Sequence, residues 1–156
     1  MRSPVGYVGL CGVIAGLLGG LAEVLWIWLY AALTGSDPGI VASGVALAVG
    51  LDGLSSPVVA GIAIHMALAA ALGVALATLL RSMGDALRGI REFVAVTAAL
   101  AVVWTINFFA VLPLISPEFV TVVPLGVSFV SKLLFGLAAA ACFSVTNRPR
   151  IEVARI

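Results

Sequence analysis

Charged side chains make up only 10% of the 156 residues, against roughly a quarter in soluble domains, while 63% are hydrophobic and the mean hydropathy is +1.26. That deficit excludes a water-soluble globule. The chain has one histidine, one lysine and two cysteines, Cys11 and Cys142. Metal or haem ligation needs several convergent ligands, so no metal site and no cofactor are expected. The same shortage leaves no Ser/His/Asp or Cys/His constellation to assemble, and the glycine-rich stretches lack the phosphate-loop pattern, so an enzyme is not expected. Eight scattered basic residues cannot build a nucleic-acid surface. The roughly ten-residue alternation of a membrane β-barrel is also missing.

Long apolar runs are what the sequence has in abundance. Crossing a bilayer core of about 30 Å takes roughly 20 apolar residues in a helix, so this length allows four or at most five spans and no separate soluble domain. Four stretches qualify: Gly6 to Leu33, Pro57 to Leu80, Phe93 to Ile115 and Val122 to Val145. The first is too long for the apolar region of a signal peptide. Inside hydrocarbon each must satisfy its own backbone groups, which makes the fold an all-α, polytopic four-helix membrane bundle, read here as one domain over 1–156. In the outer connection, Asp37-Pro38 is a helix start followed by the apolar run Ile40 to Leu51. That run is too short to cross and predicts an interfacial or re-entrant helix over about 38–51. Between the third and fourth spans, Pro113 and Pro117 predict a rigid turn, and Pro124 falls in the opening turns of the fourth.

Basic residues are distributed on one side only. Arg2 precedes the first span, Arg81, Arg88 and Arg91 lie between the second and third, and Arg148, Arg150 and Arg155 follow the fourth. The other two connections contain none. This bias predicts both termini and the middle connection on the cytoplasmic side of a bacterial-type inner membrane.

Away from the helix ends, each span keeps one strongly polar side chain: Glu23, His65, Asn107 and Lys132. At about 1.5 Å per residue, with alternate spans running in opposite directions, all four fall within roughly 6 Å of the midplane. Ionisable groups there cost a few kcal/mol or more each, so they are expected to face inward and pair. Small residues share their faces. Gly12, Gly16 and Gly19 lie on the stripe of Glu23, Gly61 on that of His65, and Gly136 on that of Lys132, which marks these five as helix-packing positions. The polar layer has two readings. Glu23 and Lys132 hold two helices in register, or the four groups form a proton or ion pathway in which an imidazole, ordinarily titrating near neutrality, takes part.

The run Leu21-Ala22-Glu23-Val24 resembles the first-helix glutamate segment of small multidrug resistance transporters, whose carboxylate exchanges drug for proton. The resemblance covers one helix. His65, Lys132 and the long outer connection depart from that family's pattern, so drug binding is not carried over. With thin loops and glycine-lined faces, the expected function is an interaction protein: a subunit or assembly factor packing against other membrane proteins or against itself. The alternative is a small proton- or ion-coupled transporter or channel using the polar layer.

Overall fold

In the computed structural model, which describes residues 4–51, 53–83 and 89–146, every regular element is a helix. The elements are α1 (Pro4–Thr34), α2 (Gly39–Ala48), α3 (Pro57–Ser82), α4 (Ile90–Ile106), a π turn (Asn107–Val111), α5 (Leu112–Ile115), α6 (Phe119–Val122) and α7 (Leu125–Thr146). Four continuous helical stretches are long and apolar enough to cross a membrane: α1, α3, α4 through α5, and α7. Arg2, Asp52, Asp85, Arg88, Arg148, Arg150 and Arg155 lie outside the described residues.

Glycine and proline punctuate these helices for identifiable reasons. Past the end of α1, Gly35 takes a positive φ of 72° and Ser36 N–H donates to the Ala31 carbonyl at 3.2 Å. Past α2, Gly50 does the same at 74°, with Leu51 N–H donating to Ala46 O at 3.0 Å. Both are Schellman closures, and a side chain at either glycine would be strained. Asp37 opens α2 as its sequence suggests, accepting from Gly39 N–H through Oδ1 at 2.8 Å.

The prolines correct two sequence expectations. Pro113 lies inside a helix rather than in a turn. It has no N–H for the Phe109 carbonyl, and the preceding residues widen into a π turn in which Leu112 N–H reaches back to Asn107 O. The fourth span starts at Leu125, not Val122. The residue before a proline avoids the α region, and Val123, before Pro124, is extended at φ −122° and ψ 128°, which cuts α6 off as a separate turn.

The long helices are not arranged in a closed ring. Helix α1 is central, packed on α3 and α7; α4 packs on α7, α2 covers α3 and touches α6, and no comparable packing joins α3 to α4. Close approach explains the glycines. A Cβ at Gly12 would stand 2.6 Å from Val74 Cα, one at Gly16 would collide with the Ala69 carbonyl, and one at Gly73 with the Gly12 carbonyl, so α1 and α3 meet backbone to backbone. Gly61 abuts Ala42 O of α2, and Gly136 faces Thr97 and Leu100 of α4.

The stripe assigned to Gly12, Gly16, Gly19 and Glu23 therefore divides between two neighbours. Gly12 and Gly16 serve α3. Gly19 faces the Phe135 ring of α7, where a Cβ would come within 2.7 Å, on the side where Glu23 reaches α7. Gly16 and Gly19 point roughly 60° apart at 100° per residue, so a central helix can offer them to different partners.

One half of the molecule is filled. Phe135, Leu100 and Val96 are its largest fully buried side chains, packed with Ala15, Ala69, Leu76 and Phe143. The other half, toward α2 and α6, is hollow.

Candidate functional site

The hollow half contains a cavity of about 470 Å³. Its wall is mostly aliphatic and aromatic, including Val41 and Val45 of α2, Ile62 and Leu72 of α3, Phe108 of the π turn and Phe119 of α6. Glu23, His65, Asn107, Ser131 and Lys132 are its strongly polar lining side chains among the described residues, apart from Ser128. Leu68 of α3 and Val103 of α4 line it while remaining 61% and 36% exposed. Trp28 of α1 and Ile115 of α5 also line it and are exposed, so the cavity is open at its edge rather than sealed.

At its inner end Glu23 is 4% exposed and is the hub of the polar groups. Its Oε1 receives the Lys132 ammonium at 2.8 Å and the Ser131 hydroxyl at 2.9 Å. Its Oε2 is fully buried, makes no close hydrogen bond among the described residues, and faces His65 Nε2 at 3.6 Å. His65 Nε2 also sits 3.4 Å from the Gly20 carbonyl. Two acceptors facing one ring nitrogen favour the tautomer with its proton on Nε2. The Lys132 ammonium additionally lies 5.4 Å from the centroid of the Phe135 ring, within cation–π range.

Three of the four polar residues singled out in the sequence thus converge. Glu23, His65 and Lys132 meet from α1, α3 and α7. Asn107 does not join them by a hydrogen bond; it opens the π turn and lines the cavity with a half-buried amide. Ser131 was not singled out. It is one of several span serines, and only its position beside Lys132, about 100° around the helix, hinted that both could reach one carboxylate.

Two indoles lock the frame. Trp26 Nε1 donates to Val127 O at 3.0 Å, tying α1 to α7, and Trp104 Nε1 donates to Ser128 Oγ at 3.1 Å, tying α4 to α7. Trp104 also stacks on Phe108 with ring centroids 5.3 Å apart. Trp26 and Trp104 are part-buried, while Trp28 is 56% exposed. Cys11 and Cys142 are free thiols. Among the described residues no three His, Cys, Asp or Glu side chains gather as a metal site.

Chemically, the arrangement holds one carboxylate oxygen in a neutral ion pair and sets the other, buried, against an imidazole. The first oxygen fixes the group. The second can accept a proton or a donor. Comparison of the chain with protein-family models, with curated proteins and with solved structures finds no match to any of them.

Proposed function

We propose that the protein is a small multi-pass carrier of a bacterial-type cytoplasmic membrane, not an enzyme, in which solute movement is coupled to protonation of Glu23. The observation that carries this reading is a buried carboxylate, Glu23, that borders a cavity large enough for a small molecule and meets His65 and Lys132 from two other helices. An ion pair serving only to hold register gains nothing from an imidazole drawn to it from a third helix or from a void beside it. Intramembrane ionisable groups facing a cavity mark ion and proton pathways by default.

The other reading, a subunit or assembly factor bound to further membrane proteins, leaned on glycine-lined faces. Gly12, Gly16, Gly19, Gly61 and Gly136 are all met by α2, α3, α4 or α7 of the same chain, so these faces do not call for an outside partner.

In vesicles with an imposed pH gradient, the wild-type protein is expected to dissipate the gradient and Glu23→Gln to fall to the rate of empty vesicles. Because Glu23→Gln strands the Lys132 charge, the double variant Glu23→Gln/Lys132→Met serves as a second probe, folded yet equally silent. Flux undiminished in the variants, or absent in the wild type, would remove the reading.

We further propose that the termini and the middle connection face the cytoplasm, on the strength of the arginine distribution. A fluorescent reporter after Ile156 should then fluoresce, and a phosphatase that works only outside should be active when inserted after Gly53. Activity of the phosphatase at the C-terminus instead would invert the topology.

A further inference from the structure

We infer that Cys11 and Cys142 form a dithiol across the α1–α7 seam, a modification site that a peroxide oxidises to a disulfide within the chain. This is independent of the carrier reading.

The seam fixes the level of both residues. Tyr7 Oη donates to Thr146 O at 3.2 Å, Gly19 faces the Phe135 ring, Ser131 donates to Glu23 at 2.9 Å and Trp26 donates to Val127 O at 3.0 Å. Every advance along α1 in this series is matched, within one residue, by an equal retreat along α7. Cys11 and Cys142 keep that register, each four residues inward from the Tyr7 to Thr146 contact. They stand opposite one another.

Direction agrees with level. At 100° per residue Cys142 lies within roughly 20° of both Ser131 and Phe135, which meet α1, and Cys11 falls between Tyr7 and Ala15, one turn from each. Beside the thiols, Ala15 and Ala139 face each other and are both fully buried, so only methyl groups separate the helices there. A disulfide needs such close approach, with Cα atoms about 4.4–6.8 Å apart. The two sulfurs are also near enough for charge on one to act on the other. Both are free and half-buried, and Cys142 is only about 6 Å of helix rise from the end of α7. A small uncharged oxidant can reach them.

The chemistry closes on these two groups. One sulfur, as thiolate, attacks a peroxide oxygen and breaks the O–O bond, becoming a sulfenic acid as water leaves; the other thiol attacks that sulfur and expels a second water. Two thiols give up two electrons and the peroxide takes them. On the side proposed as cytoplasmic, thiol reductants return the pair to its free state.

The test treats the full-length protein in nanodiscs with hydrogen peroxide and counts free thiols after denaturation with a maleimide-linked polyethylene glycol. Both thiols are expected to vanish together and return on dithiothreitol, with the oxidised chain monomeric, lighter by two hydrogens, and yielding a peptide that joins Cys11 to Cys142. Moving the second thiol by one residue, with Cys142→Ser and Ala141→Cys, turns it roughly 100° toward the exposed side and should slow disulfide formation at least about tenfold. Thiols that persist in excess peroxide, thiols lost without return on dithiothreitol, a disulfide found between chains, or an equal rate in the shifted variant would each overturn the inference. The first three outcomes need only the wild-type protein.

Discussion

Replacing Lys132 by methionine is expected to lower the thermal midpoint of the detergent-purified protein by roughly 10 °C. Removing one partner of a buried ion pair costs about 3–5 kcal/mol, and a protein of this size shifts by about 2–4 °C per kcal/mol. The variant leaves the Glu23 carboxylate, 4% exposed, holding only the Ser131 hydroxyl and facing His65. Glu23→Gln should cost less. The stranded ammonium is 20% exposed, rests over Phe135, and carries a flexible stem that can move its head toward solvent or headgroups. Combining the two changes should recover more than half of the larger loss, because an uncharged pair needs no compensation. Ser131→Ala, which removes one hydrogen bond and leaves the ion pair, should cost about 1–3 kcal/mol. A thermal-shift series over these four proteins decides the matter. Strict additivity of the two single effects would show that Glu23 and Lys132 are not energetically paired.

The convergence of Glu23, His65 and Lys132 was legible before any coordinates because depth in a membrane helix is nearly linear in residue number. Two helices of opposite direction bring residues to one level wherever their distances from the ends match. Rotation about the axis was less legible. The stripe through Gly12, Gly16 and Gly19 is wide enough for two neighbours, and nothing local to α1 says that α3 and α7 divide it. That division places Glu23 at the seam between them, which is why it reaches both His65 and Lys132. The cavity could not be read at all. It exists because α3 and α4 do not pack together and because α2 and α6 roof the space, both properties of helix order rather than of any single segment. The π turn lies between. Pro113 announces a disturbed hydrogen-bond ladder, but not whether the chain breaks or widens there; it widens, with Trp104, Phe108 and Phe129 in ring contact nearby.

The filled half of the molecule sets what the hollow half can do, and its most sensitive point is the α1–α3 contact. Gly16→Ala is expected to destabilise the protein by about 3 kcal/mol, an overpacking cost at the upper end of the usual range. The added methyl would occupy the space of the Ala69 carbonyl, a backbone group that cannot rotate away as a side chain would. Relief requires the helices to separate, which loosens the packing of Gly12 on Val74 and of Gly20 on the Ala69 methyl at the same time. Helix association in a membrane depends on such van der Waals contact rather than on a hydrophobic drive, so the loss is not offset elsewhere. Gly9 provides the control within the same helix. Nothing lies within 4 Å of a Cβ built there, and Gly9→Ala should be neutral or stabilising by up to about 1 kcal/mol through helix propensity. Gly73→Ala should match Gly16→Ala, and the double variant should cost less than the sum, because the separation forced by one methyl makes room for the other. Thermal midpoints for the three positions read this directly. If Gly16→Ala behaved like Gly9→Ala, the backbone contact between α1 and α3 would have to be looser than drawn, and the distance from Glu23 on α1 to His65 on α3 would lose its anchor.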